Sequence, residues 1–186
     1  MVLKVAVTGN IAAGKSQVEK VLENLGYPVY DSDKIAHSIL DSITDFYGYD
    51  VFTAGKIDRK KLGELVFSNS HLKQKLEMLT HPKIKTEILD LFKKHSNEKY
   101  IFVSVPLLYE AGFDDIFDKV IFVSVDKNIQ LKRLMQRNNL TEEDALKRIN
   151  VQMPQELKIK RADFVIENNS SIEYLHEQIE RIIGKL

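Results

Sequence analysis

Cysteine is absent from the 186 residues. That excludes disulfides, thiolate nucleophiles and cysteine-ligated metals, and it suits a reducing compartment. Net charge is absent too, since 27 lysines and arginines balance 27 aspartates and glutamates. No general field draws nucleic acid or an anionic membrane to the surface, so any polyanion must be held by a local site. Long apolar runs are missing; none approaches the roughly 20 residues that cross a bilayer. The N-terminal MVLKVAVTG is apolar but too short for a signal peptide, and it runs straight into a loop. There are no repeats and no low-complexity segment. These absences imply a cytoplasmic globular protein with no membrane or nucleic-acid partner. The length is one domain's worth, enough to bury a real core, and 44% apolar and 29% charged residues are ordinary for that class.

The pattern that is present alternates strands with helices. Residues 2–8 (VLKVAVT) are β-branched and apolar, a buried strand. Val18, Val21, Leu22 and Leu25 then mark one helix face, and Gly26 with Pro28 supplies its stop signals. PVY (28–30) reads as a short strand entering Asp31-Ser32-Asp33. Residues 34 to about 98 read as largely helical, with Pro82 interrupting the pattern and predicting a new helix at its first turn. YIFVSV (100–105), KVIFVSV (119–125) and DFVIEN (163–168) are further strands. A charged helical stretch fills 127–162, and an amphipathic helix fills 171–184. Five apolar strands alternating with helices predict an α/β fold with a mainly parallel sheet covered on both faces.

Gly9-Asn10-Ile11-Ala12-Ala13-Gly14-Lys15-Ser16 fits G-x-x-x-x-G-K-[ST], the P-loop pattern. In such a loop successive N–H groups curl around phosphate oxygens, and the helix that follows presents its positive end. Lys15 would reach the terminal phosphates and the Ser16 hydroxyl Mg²⁺. The alternative is a plain βα turn. Residue frequencies give the pattern by chance in on the order of one chain per hundred of this size. The strand before it and the helix after it make chance rarer still, so a nucleoside triphosphate is the expected ligand.

A P-loop does not by itself separate a switch from a kinase. No N-K-x-D guanine-reading motif is present, and Asp45-Phe46-Tyr47-Gly48 matches D-x-x-G without following a strand. The usual strand-end carboxylate for the metal is missing after YIFVSV, where Pro106 and Leu107 stand. Asp126 does end a strand, but it reads better as a helix cap. Asp31 and Asp33 follow the second strand, where ligands bind in open α/β sheets, and at i and i+2 they can share a side. Asp33 is the candidate base for an acceptor hydroxyl; the alternative is an N-cap of the next helix. Arg133 and Arg137 share a helix face, with Arg148 and Arg161 beyond them. They would cage a transferring phosphoryl group, or else form a solvated basic face.

Taken in order, these segments resemble the dephospho-CoA kinase family along nearly the whole chain. VTGNIAAGKSQV and GYPVYDSDKIAH begin the match. GKIDRKKLGELVF (55–67), LTHPKI (79–84) and VPLLYEAGF (105–113) continue it, and 130–152 with RADFVIEN (161–168) completes it. The resemblance implies a three-layer P-loop NTPase fold, with a five-stranded sheet, a helical substrate-binding insertion and a helical lid. As one kinase domain, its core would be 1–33, 99–126 and 163–186, its substrate region 34–98 and its lid 127–162. It implies ATP-dependent phosphorylation of the ribose 3′-hydroxyl of dephospho-CoA, with Mg²⁺ as cofactor. Asp33, Lys15 and Arg137 would then be catalytic. ATP would be held by the loop from Gly9 to Gln17, including Asn10, Ile11, Ala12 and Ala13, and near its adenine by Arg137 and Asn168. Asp31, Asp33, His81, Pro106, Leu107 and Leu108 would lie at the acceptor, and Arg133, Arg148 and Arg161 would be lid contacts to phosphate. Leu107 and Leu108 read equally as packing, and His81 as a capping or buried histidine.

The loop departs from the family pattern G-G-I-G-S-G-K-S-T. Asn10 and Ala12 replace glycines, Ala13 replaces serine and Gln17 replaces threonine. Asn10 tolerates a left-handed backbone; Ala12 must keep φ negative or carry about 1–2 kcal/mol of strain. Gln17 leaves any role for a second hydroxyl in doubt. Two rivals remain open: a kinase for another small acceptor, which the 79–84 and 105–113 segments oppose, and a non-catalytic nucleotide switch, which the lack of a guanine motif opposes.

Overall fold

The computed structural model describes residues 1–40, 42, 51–53 and 56–186, and of Lys56 and Phe67 the backbone alone. The Asp45–Gly48 match lies outside the described residues. In chain order the elements are β1 (Leu3–Thr8), α1 (Lys15–Asn24), β2 (Val29–Asp31), α2 (Ser32–Leu40), β3 (Phe52–Thr53) and β4 (Lys56–Ile57). Then follow α3 (Arg59–Ser68), α4 (Ser70–Lys94), β5 (Tyr100–Ser104), β6 (Lys119–Ser124) and α5 (Lys127–Asn138). The chain ends with α6 (Glu142–Asn150), α7 (Gln155–Ile159), β7 (Phe164–Glu167) and α8 (Ile172–Ile183). It divides into two compact units, one of Met1–Asp31 with Phe92–Leu186 and one of Ser32–Leu91. No described helix is long and apolar enough to cross a membrane.

The first unit is built on a five-stranded sheet of order β2-β5-β1-β6-β7, every pairing parallel. Its strands are apolar at successive positions because both faces are covered. One face buries Val5, Val7, Phe102, Ile121 and Val123 against Val18, Val21 and Leu22 of α1 and Leu175, Ile179 and Ile182 of α8. The other face buries Ala6, Ile101, Val103, Val120 and Phe122. Helix α1 stops as its sequence requires. Gly26 takes φ 86°, its N–H donates to Glu23 O and that of Tyr27 to Leu22 O, the paired bonds of a Schellman ending. The chain leaves β1 toward β2 on one side and β6 toward β7 on the other. The carboxyl ends of adjacent β1 and β6 therefore flank the crevice where open α/β sheets bind ligands.

The second unit contains α2, the antiparallel pair β3–β4, α3 and most of α4. Strands of two residues are too short to show a period, and the helical reading of this stretch missed them. The expected break at Pro82 is corrected, since α4 runs unbroken through it. Leu72, Thr80, Ile84 and Ile88 recur at multiples of four and form one buried stripe across the proline. Pro82 lies on the exposed side. The carbonyl of Met78 that its missing N–H would have served belongs to a residue 77% exposed, so water can satisfy it.

Candidate active site

The loop between β1 and α1 is shaped by two glycines for different reasons. A Cβ on Gly9 would stand 2.6 Å from the carbonyl oxygen of Val123, so only glycine lets the chain pass this close to β6. Gly14 is the N-cap of α1 at φ 91°, and a Cβ there would collide with Nδ2 of Asn168. With glycine at its N-cap, α1 has no side-chain cap bond and no acidic residue in its first turn. Its N-terminal N–H groups and positive dipole end are thus not neutralised by the helix itself. Ser16 is the second helical residue and is exposed. The Lys15 ammonium folds back over the loop and donates to Gly9 O at 2.8 Å.

The replaced positions found particular uses. Ala12 takes φ 60°, so the strained alternative is the one realised. Among the described residues only Ala12 and Asn139 are non-glycines with positive φ, so Asn10 does not use its left-handed tolerance. Asn10 is instead buried at 4% exposure, and its Nδ2 donates to Met153 O at 3.1 Å. Gln17 Oε1 accepts from Asn168 Nδ2 at 2.9 Å, and the same amide donates to Ala13 O at 2.8 Å. Asn168, expected beside an adenine, has its amide under the loop, and its own N–H donates to O of Ser124, the last residue of β6. Both backbone groups of Ile11 are taken by side chains from the charged helical stretch. Its N–H donates to Gln152 Oε1 at 2.7 Å and its carbonyl accepts from Gln130 Nε2 at 2.8 Å.

Asp31 ends β2 opposite Ser104 and is half-buried. The strand's end is tied by a 2.7 Å hydrogen bond between Tyr30 Oη and His95 Nε2. Helix α2 begins at Ser32, so Asp33 is an exposed first-turn residue rather than its N-cap. After β5, Pro106 is half-buried and Leu107 46% exposed, whereas Leu108 is wholly buried and packs in the core. His81 is half-buried in the middle of α4, away from the ends of that helix. Asp126 is the cap that its sequence suggested, accepting from the N–H groups of Asn128 and Ile129.

The four arginines are not equivalent. Arg133, on α5, buries an Nη1 that has no hydrogen-bond partner among the described residues. Arg137 and Arg148 are exposed, with Arg137 Nε donating to Asn138 Oδ1. Arg161 is a strut: it pairs with Asp114 at 2.7 Å and lies 4.1 Å above the Tyr109 ring. Burial pushes the Tyr109 phenol up to about 12, against the opposing pull of Arg161. Sequence reasoning passed over Gln130, Gln152, Glu110 and Lys158. Glutamines that hold a backbone carry no spacing signature, and Glu110 stood inside VPLLYEAGF without a role. Among the described residues no cluster of three or more His, Asp or Glu could cage a metal. A serine hydroxyl such as that of Ser16 and carboxylates such as that of Asp31 are hard oxygen donors of the kind Mg²⁺ takes when phosphates and water complete its shell.

A parallel sheet with a glycine-shaped loop between its central strand and an uncapped helix defines the P-loop nucleotide-binding class. Shikimate kinase from Bacteroides thetaiotaomicron shares the fold, with a TM-score of 0.60 at 15% identity over 99% of each chain. The model of the dephospho-CoA kinase family matches residues 3–174. A dephospho-CoA kinase of Listeria innocua is 38% identical over 191 aligned positions, covering 97% of this chain and 96% of the relative. The solved dephospho-CoA kinase from Campylobacter jejuni superposes with a TM-score of 0.77 at 37% identity, over 100% of this chain and 97% of that one. The chain belongs to the dephospho-CoA kinase family.

Proposed function

We propose that the protein transfers the terminal phosphoryl group of ATP to the ribose 3′-hydroxyl of dephospho-CoA, giving coenzyme A and ADP, the last step of coenzyme A biosynthesis. The observation that carries this is the preserved phosphate cradle, in a chain that matches the family over residues 3–174. Loop N–H groups between Gly9 and Gln17, other than those of Ile11 and Ala13 that Gln152 Oε1 and Asn10 O take, hold the triphosphate with the positive end of α1, and Lys15 turns from Gly9 O to its terminal phosphates. Asp33 accepts the proton of the 3′-hydroxyl as its oxygen attacks, which is what a weak nucleophile asks of the protein. Asp31, His81, Pro106 and Leu107 border the acceptor, with Leu108 packed in the core behind them. Arg133, Arg137 and Arg148 close on the transferring phosphoryl group, Arg137 also standing toward the adenine end, the buried Asn168 supports the loop from beneath, and Arg161 holds the base of that segment. The protein would work in the cytoplasm as one kinase domain, with residues 34–98 serving the acceptor and 127–162 closing over ATP. Ser16 would hold Mg²⁺ beside the phosphates, with Asp31 and Asp33 within the same donor chemistry. When bound, that ion neutralises the negative charge of the triphosphate.

The test is ADP release with ATP and Mg²⁺, with and without dephospho-CoA, and mass detection of the product. Release that depends on the acceptor, with one phosphate added to dephospho-CoA, is expected. Asp33→Asn should bind ATP normally and lose about 10²–10⁴-fold in turnover. Lys15→Ala should impair both. Near-normal turnover in Asp33→Asn would remove the base assignment, and ATP binding without acceptor-dependent release would remove the substrate.

A further inference from the structure

The P-loop is not held by its own residues alone. Gln152 Oε1 receives the Ile11 N–H at 2.7 Å, and Met153 O receives Asn10 Nδ2 at 3.1 Å. Two consecutive residues outside the loop thus fix two consecutive residues inside it. Those outside residues are in turn fixed from the segment that follows β5. The Met153 N–H donates to Glu110 Oε1 at 3.1 Å, and the Lys158 ammonium lies 2.7 Å from that same oxygen. Lys158 is wholly buried, and among the described residues its Nζ makes no other polar contact. A buried ammonium is tolerable only beside its counter-charge, so Lys158 commits Glu110 to this position. Gln155 fastens the same stretch to the end of β6: its Nε2 donates to Val125 O at 3.1 Å, and its Oε1 accepts the Val125 N–H at 3.3 Å.

From this we infer that, within the 127–162 segment, residues 152–158 do not take part in closure but are a fixed strap, with Gln152 and Glu110 as positioning residues that set the P-loop for the triphosphate. The chain of contacts runs from Glu110, four residues beyond Pro106 of the acceptor-side segment, through Met153 to Asn10 and Ile11. Ala12 follows directly in its left-handed conformation, so this is the part of the cradle with most need of outside support. A loop that carries strain relaxes when its restraints are removed, and a relaxed cradle must be reordered by the ligand at the expense of affinity. Both residues act on ATP through the backbone of the loop and touch no reacting atom. The inference deepens the kinase reading and rests on it only for the site's use; its readout is ATP binding without acceptor.

The experiment measures ATP affinity by calorimetry, with Mg²⁺ and no dephospho-CoA, for wild type, Gln152→Met, Glu110→Gln and the double variant. Gln152→Met keeps the length of the side chain and removes the acceptor for the Ile11 N–H. It should weaken ATP by about five- to tenfold, near the effect of one buried hydrogen bond left unmade. The KM for ATP should rise by the same factor while the KM for dephospho-CoA stays within about twofold. Glu110→Gln should weaken ATP as well, and the double variant should be little worse than the stronger single one, because both break one chain of contacts. Where the unpaired Lys158 prevents Glu110→Gln from folding, Glu110→Gln with Lys158→Met removes the stranded charge and takes its place. Unchanged ATP affinity in Gln152→Met would overturn the inference. So would fully multiplicative effects, or tighter binding, which would make Gln152 a latch that ATP must open. A wild type that binds ATP but does not phosphorylate dephospho-CoA defeats the kinase reading and leaves this comparison readable.

Discussion

Ala12 holds a backbone conformation that alanine enters at a cost of about 1–2 kcal/mol, in a position where the family pattern has glycine. Ala12→Gly removes that strain but makes the unfolded chain more flexible by about 0.4–1 kcal/mol. The expected result is a net gain of between zero and about 1.6 kcal/mol in urea denaturation. A loss larger than that would mean the alanine methyl packs usefully. Gly14→Ala should go the other way, because its new Cβ meets the Asn168 amide that holds Ala13 and Gln17. ATP binding, read by calorimetry, should fall with stability. At this scale the sequence was informative about which loop residues were unusual. It could not say which branch each would take. Asn10 looked suited to a left-handed turn and was used as a buried hydrogen-bond donor, because its partner, Met153, lies 143 positions away.

Elements were legible wherever a local signal also met the tertiary demand. The strands were visible because a parallel sheet covered on both faces requires continuous apolar residues. Helix α1 ended at Gly26 and α5 began at Asp126 for reasons written within four residues. Asp126→Ala should destabilise the protein by about 1 kcal/mol in chemical denaturation, the usual worth of such a cap, and leave the KM for ATP unchanged. A shift in that KM would instead place Asp126 at the nucleotide. Local signals misled where the surroundings overruled them. Proline predicts a helix boundary, yet α4 continues past Pro82 because its buried stripe is unbroken and the orphaned carbonyl belongs to the exposed Met78.

On the scale of the whole molecule, stability depends on ties between strands far apart in sequence. Asp163 joins the starts of β6 and β7. Its Oδ2 accepts the Val120 N–H at 2.8 Å and its Oδ1 pairs with Lys119 at 2.9 Å. Partial burial alone would raise its carboxyl, but the bonds from Lys119 and Val120 outweigh it and hold it below the ordinary 3.8. A lowered acid stabilises the fold above its unfolded value, and the contribution disappears as pH falls through the folded one. Thermal melts should therefore drop steeply below about pH 4, and Asp163→Asn should be less stable at neutral pH with a shallower acid limb. An unaltered limb would assign acid unfolding to other carboxylates. By itself the sequence determined the phosphate loop, the α/β alternation and the family, because each is carried by residues adjacent in the chain or by ordered motifs. Only the tertiary structure decided the strand order β2-β5-β1-β6-β7 and the residues that brace the loop. Asn168, Gln152 and Gln130 reach it across 119 to 155 positions, and Glu110 holds Met153 from 43 positions away; contacts that long leave no periodicity in a single chain.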